Sequence, residues 1–135
     1  MNYLIFNTTT PICQVGIAKS KQLRTRQSEN LHQHGEQLLQ FIDELLEEQS
    51  LTLKEVNLIG MARGPGSFVG TRLGCAVAQS FAFSLDIPVI TVSTLQAIAQ
   101  TAYEQRKIDP ITVIQDARMG QFYLAHYQLM DQGIM

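Results

Sequence analysis

The sequence predicts an α/β fold: a mixed five-stranded sheet with helices on its faces, followed by the start of a second, similar lobe. Three observations support this class. The first three short apolar runs are separated only by turns, as in a β-meander. A strand, a glycine-rich loop and a helix then follow one another over residues 58–85. Finally, the strand–turn–strand pattern of residues 3–18 returns from residue 111.

The repeated pattern divides the chain into an N-terminal lobe, residues 1–106, and the incomplete beginning of a second lobe, residues 107–135. A chain of 135 residues can bury an ordinary hydrophobic core. Because residue 135 comes just after the second strand of the repeat, we expect that most of the second lobe is missing and that the sequence is a fragment or a truncated product.

Composition excludes several classes of protein. Ten basic and twelve acidic residues give a net charge of −2, and the basic residues are scattered, so no footprint for direct nucleic-acid binding is visible. Cys13 and Cys75 lack the spacing of a disulfide framework and are expected to be reduced and buried. No basic segment precedes the first apolar run, and polar residues interrupt the longest apolar tract. We therefore expect a cytoplasmic chain without a signal peptide or membrane span.

Five apolar runs are predicted to form the first sheet. Residues 3–6, 12–18 and 23–27 make the meander, and residues 58–62 and 88–92 add two further strands. Arg24 and Arg26 place the third strand at an edge of the sheet, where charged side chains are tolerated.

Residues 31–48 are predicted to form the first helix, with one apolar stripe and an acidic opposite side that contains no lysine or arginine. The acidic side is either a solvated face or the contact for a basic partner. His32 and His34 point roughly 200° apart around such a helix, so they cannot share a metal ion, and no metal site is expected. The apolar stripe comprises Leu31, Gly35, Leu38, Leu39, Ile42, Leu45 and Leu46.

A glycine loop opens the second helix, with Ser67 as its predicted N-cap. Backbone N–H groups at such a helix start can bind an anion, although the spacing matches neither a P-loop nor a dinucleotide-binding loop. A purely structural turn is the competing interpretation. The candidate anion or phosphate loop comprises Arg63, Gly64, Gly66, Ser67 and Arg72.

Small residues recur at every fourth position of the second helix, at Gly70, Gly74, Ala78 and Ala82. Glycines inside a helix are unfavourable, so this flat stripe indicates close approach of another backbone. We expect a second helix there, from this chain or from a partner. The predicted interface comprises Leu38, Leu39, Ile42, Gly70, Thr71, Gly74, Cys75, Ala78 and Ala82.

Three motifs, in this order, resemble those of the TsaB (YeaZ) family, formerly called a glycoprotease family. They are Arg63-Gly64-Pro65-Gly66-Ser67-Phe68-Val69-Gly70-Thr71-Arg72-Leu73-Gly74, Val92-Ser93-Thr94-Leu95 and Asp116-Ala117-Arg118-Met119-Gly120. The glycine motif is specific to this family and its close paralogues, and the resemblance runs along the whole chain.

The resemblance implies an actin-like ATPase lobe (ASKHA, ribonuclease H-like). It implies a non-catalytic scaffold subunit for threonylcarbamoyladenosine modification of tRNA, which pairs with a catalytic TsaD-type paralogue and a TsaE-type ATPase. A homodimer is a further possibility, and tRNA would be contacted only indirectly. Nucleotide-binding members of the superfamily carry an aspartate in the first turn, where this chain has Asn7, which argues against ATP hydrolysis.

Catalytic residues are not apparent from the sequence. No serine lies in a nucleophile elbow, and no cofactor is expected. Asp116 and Arg118 could form a polar pair at a cleft, or a salt bridge that only stabilises a turn. The alternative to a scaffold is a nucleotide-binding or peptidase-like enzyme of the actin-like superfamily.

Overall fold

The computed structural model describes residues 1–28 and 34–130. The first sheet and its helices are β1 (Asn2–Asn7), β2 (Cys13–Lys19), β3 (Gln22–Ser28), α1 (His34–Glu48), β4 (Leu58–Ala62), α2 (Phe68–Leu85) and β5 (Val89–Val92). They are followed by α3 (Thr94–Arg106), β6 (Ile111–Arg118) and β7 (Gln121–Tyr127). Leu31 and His32, which the sequence places in the first helix, lie outside the described residues.

The sheet has the strand order β3-β2-β1-β4-β5, and β2 alone runs antiparallel to the other strands. In this register Leu4 of β1 lies between Ile17 of β2 and Ile59 of β4. The predicted mixed five-stranded sheet is therefore confirmed. β3 is an edge strand, as its two arginines indicated.

One face of the sheet forms the main core. Because side chains alternate along a strand, every second residue of β1, β2 and β4 points to this face, where α1 covers β2 and β3 and α2 covers β4 and β5. The opposite face carries Ile5, Leu23, Ile90 and Val92, all of which are exposed. The main core includes Leu4, Phe6, Val15, Ile17, Leu38, Ile42, Leu45, Leu46, Ile59 and Met61.

A second, smaller core joins α3 to the β6–β7 hairpin. Leu95 and Ala99 of α3 are buried with Val113 of β6, and Ala125 and Tyr127 of β7 pack against them. Although α3 directly follows the last strand of the first sheet, it packs mainly on the hairpin. The division of the chain into lobes at residues 106 and 107 stays a prediction.

The acidic side of α1 is partly neutralised by the chain itself. Arg26 of β3 contacts Glu48 at 2.6 Å and Glu44 at 3.7 Å, and Arg24 contacts Glu48 at 3.6 Å. A basic partner is therefore not needed to explain Glu44 and Glu48. None of the described helices is both long and apolar enough to span a membrane.

Candidate functional site

The glycine loop lies against the turn that follows β1, and the two backbones are in close contact. A Cβ atom on Gly66 would collide with the backbone of Thr9, and a Cβ atom on Gly70 would collide with the carbonyl oxygen of Thr8. Glycine is therefore required at both positions because any side chain would push the loop away from the turn.

Hydrogen bonds join the same two segments. The backbone N–H of Ser67 donates to the carbonyl oxygen of Thr9 at 2.7 Å, and the hydroxyl of Thr8 donates to the carbonyl oxygen of Gly70 at 2.7 Å. The hydroxyl of Ser67 accepts from the N–H of Gly70 at 3.2 Å, which confirms Ser67 as the N-cap of α2. The start of α2 is thus held in place on the end of β1.

Asn7 and Thr9 extend this network to α3. The side-chain oxygen of Asn7 accepts hydrogen bonds from both the N–H and the hydroxyl of Thr9, at 3.0 and 2.7 Å. The Thr9 hydroxyl also lies 2.9 Å from that of Thr94, and the N–H of Thr94 donates to Gly64. Asn7 therefore stabilises the turn after β1 through its side-chain oxygen. Thr9 and Thr94 are both almost completely buried.

The predicted anion loop borders a shallow, open cavity of about 350 Å³. The N–H groups of Ser67 and Gly70 already have partners within the chain, so neither is free to bind an anion. The guanidinium of Arg72 stacks on the ring of Phe68, 3.4 Å from its centroid. The anion-binding role itself stays a prediction. The cavity is lined by Arg63, Gly64, Pro65, Gly66, Phe68, Thr71, Arg72 and Tyr123.

A second cavity, of about 410 Å³, lies between the end of β1, the start of β2 and helix α3. Among the residues that the structure describes, its lining consists of amides, hydroxyls and apolar groups. Over residues 1–28 and 34–130, no group of three or more His, Cys, Asp or Glu side chains could hold a metal ion. The lining residues are Asn7, Thr10, Gln14, Thr94, Ala97, Ile98, Thr101, Ala102 and Gln105.

The small-residue stripe of α2 faces its own sheet, in contrast to the expectation of a second helix. Gly70, Gly74 and Ala78 are buried. A Cβ atom on Gly74 would lie 2.7 Å from the Thr8 hydroxyl and 3.6 Å from the Phe6 ring. Small residues are needed because large side chains of β1 and β4 fill the space below the helix.

The predicted interface is therefore only partly at the surface. Leu38 and Ile42 of α1 are buried in the main core. Gly70, Gly74 and Ala78 are buried on the side of α2 that faces the sheet, so these five residues cannot contact a partner directly. Thr71 is partly buried, and Ala82 packs against the core. Leu39 and Cys75 are exposed, and they remain candidate contact residues.

The outward side of the two helices carries apolar residues that the sequence analysis did not assign to the interface. Phe68, Val69 and Phe83 are 71%, 73% and 93% exposed. They share one side of α2 with Arg72 and Cys75, because positions 68, 72, 75, 79 and 83 follow helical spacing. The helical spacing of these positions is the sequence signal that could have identified this side of α2. We call Leu39, Phe68, Val69, Arg72, Cys75, Ala76, Gln79 and Phe83 the outer helical face.

Asp116 and Arg118 do not form a cleft pair. Both are exposed near the tip of the β6–β7 hairpin, and neither lines one of the two cavities. A carboxylate oxygen of Asp116 accepts a hydrogen bond from the backbone N–H of Arg118 at 2.7 Å. Asp116 therefore stabilises the turn through the backbone, without the predicted salt bridge.

His34 makes a polar contact at the start of α1. Its ring nitrogen Nε2 lies 3.0 Å from the carbonyl oxygen of Thr10. The contact joins α1 to the same turn that holds α2. His32, the other histidine considered for a metal, is not among the described residues.

The mixed sheet, its flanking helices and the glycine loop define an α/β lobe. A family model described as TsaD, tRNA N6-adenosine threonylcarbamoyltransferase, matches residues 26–134, and the chain therefore belongs to this family. Among curated relatives, the tRNA threonylcarbamoyladenosine biosynthesis protein TsaB of Escherichia coli (strain K12) is 32% identical over 99% of this chain and 58% of the relative. TsaB of Haemophilus influenzae is 34% identical over 93% of this chain and 53% of the relative.

The solved structures agree with these relatives. YeaZ from Pseudomonas aeruginosa matches with a TM-score of 0.92 and 34% identity, over 99% of this chain and 62% of that chain. The resemblance to the TsaB (YeaZ) family and the predicted α/β lobe are thus confirmed. The chain spans only 53–62% of the length of these three proteins.

Substituting Gly70 with alanine should destabilise the fold, because the new methyl group would collide with the Thr8 carbonyl oxygen. We expect a loss of about 1–3 kcal/mol, typical of overpacking, measured by urea unfolding. Gly35→Ala is the matched control, since its methyl group would lie 4.0 Å from Leu73 and should be neutral or stabilising. Equal stability of the two variants would contradict the close contact.

Thr9→Val should also destabilise the chain, because it removes a buried hydroxyl and leaves the side-chain oxygen of Asn7 and the hydroxyl of Thr94 without this partner. The expected loss is about 1–3 kcal/mol in chemical denaturation. Thr25→Val, at an exposed position of β3, should change stability by less than about 0.5 kcal/mol. If both variants behaved alike, the network would be energetically unimportant.

Proposed function

We propose that the chain acts in the biosynthesis of threonylcarbamoyladenosine in tRNA, as a non-catalytic subunit. In this role it pairs with a catalytic TsaD-type paralogue, and a TsaE-type ATPase joins the pair. Its curated relatives are named for this biosynthesis, and the family model that matches is named for the transferase. Contact with tRNA is indirect, in keeping with the net charge of −2.

The observation that carries this proposal is the outer helical face. Two phenylalanines, Phe68 and Phe83, and Val69 stand largely in solvent on one side of α2, while small residues lie between them. Exposed apolar patches of this kind mark protein interaction sites, because a helix exposed in the free state gains little from such side chains. Leu39 of α1 is a further exposed apolar side chain, 48% accessible to solvent.

The chemistry of the two cavities supports an accessory role. Among residues 1–28 and 34–130, no ionisable side chain that could act as a general acid or base lines the cavity beside Asn7. The side-chain oxygen of Asn7 already accepts hydrogen bonds from Thr9. The cavity beside the glycine loop contains two arginines, and no carboxylate, histidine or cysteine of the described part of the chain lines it. Binding through the outer helical face is therefore the function that this part of the chain supports best.

A reconstituted reaction would test this proposal. The chain is mixed with a TsaD-type protein, a TsaE-type ATPase, tRNA and the other substrates, and threonylcarbamoyladenosine is measured by mass spectrometry. We expect modified tRNA only when the chain is present, and loss of both pairing and product in Ala76→Arg, which places a charge on the outer helical face. Thr25→Arg, at an exposed position of β3 that lines neither cavity, should retain both. Pairing without any effect on product would contradict the proposal.

Labelling of Cys75 should interfere with pairing. Cys75 is exposed on the outer helical face, whereas Cys13 is buried and its burial raises the pKa of its thiol. A bulky maleimide should therefore react once, at Cys75, and the labelled chain should no longer bind the TsaD-type partner. Mass spectrometry would count the labels and size-exclusion chromatography with light scattering would detect the pair. Cys75→Ser should bind normally with or without maleimide, and binding by the labelled chain would argue against this surface.

A further inference from the structure

The charges around the outer helical face are unevenly distributed. Arg72 is the only charged residue of α2, whereas α1 carries several carboxylates and no lysine or arginine. Glu44 and Glu48 are paired with the arginines of β3, but Glu36 and Asp43 are exposed on α1 without an ion pair among the described residues. A negatively charged partner is therefore repelled along α1 and attracted only near Arg72.

The attraction is concentrated at the shallow cavity beside the glycine loop. Arg63 and Arg72 both line it, no carboxylate does, and neither guanidinium forms an ion pair with any residue in 1–28 or 34–130. Phe68 and Tyr123 supply aromatic walls, and both are exposed. Two cationic side chains beside aromatic rings suit a carboxylate carried on a partly apolar surface.

This cavity is continuous with the outer helical face, because Arg72 and Phe68 belong to both. The stacking of Arg72 on Phe68 restricts its guanidinium before any partner arrives, which lowers the entropy lost when a carboxylate is bound. A partner helix that covers Cys75 and Ala76 therefore passes beside the cavity at the start of α2.

We infer that an acidic side chain of the pairing partner binds between Arg63 and Arg72 and sets the orientation of the partner on the outer helical face. This inference rests on the proposed function, since it assumes pairing through that face. The apolar residues of the outer helical face provide contact area, and the two arginines determine how the partner is oriented. In the opposite orientation the partner's carboxylate would lie near the acidic side chains of α1, which repel it.

The test is the affinity of the chain for the TsaD-type partner, measured by isothermal titration calorimetry. Arg63→Gln and Arg72→Gln should each raise Kd roughly three- to thirtyfold, the range for charge pairs between rim and buried positions. The double variant should lose less than the product of the two single effects, because both arginines bind one carboxylate. Arg106→Gln, at the exposed end of α3, is the control of equal charge change and should raise Kd less than twofold.

The outcomes separate this inference from the proposed function. If Ala76→Arg abolishes pairing while Arg63→Gln and Arg72→Gln behave like Arg106→Gln, the outer helical face is correct and the carboxylate inference is wrong. If the unmodified chain does not bind the partner at all, both fail. A larger effect of the two arginine variants at low salt than at high salt would support the inference, and circular dichroism would verify that every variant is folded.

Discussion

The contact between the turn after β1 and the glycine loop is the constraint on which the rest of the structure depends. Two backbones approach so closely at Thr8, Thr9, Gly66 and Gly70 that no side chain fits between them. The N–H of Ser67 and the hydroxyl of Thr8 then fix the start of α2. The same turn contacts α1 through His34 and α3 through Thr94. The first residues of all three helices are therefore held in position by contacts with this one short segment.

This contact determines which side of α2 faces solvent and can contact another molecule. Because the glycine side must lie on the turn and the sheet, the opposite side, with Phe68 and Phe83, is turned towards solvent. Thr9 also engages two groups that could otherwise bind a ligand: the Asn7 side-chain oxygen accepts hydrogen bonds from Thr9, and the N–H of Ser67 donates to its carbonyl oxygen. The turn thus fixes both the buried side of α2 and the side that is exposed.

The sequence was sufficient for the local elements and insufficient for their orientation. Apolar runs located the strands, the arginines located the edge, and Ser67 marked the helix start, since each depends on neighbouring residues. The small stripe was assigned to a second helix, whereas the backbone that approaches it belongs to the turn after β1, because periodicity shows which residues share a face and not what that face meets. The group that decides it, the Thr8 hydroxyl, is 62 positions away from Gly70. Leu38 and Ile42 were misassigned for the same reason.

The steric reason for the spacing of Gly66 and Gly70 affects what can be concluded when proteins are assigned to a family by this loop. Since Gly66 and Gly70 lie directly against the backbone of Thr8 and Thr9, the spacing of these two glycines reflects a steric requirement of the lobe. The same requirement holds for this packing whether or not the lobe carries an active site. A search built on this loop therefore collects a lineage by its architecture, and activity has to be assigned from other residues.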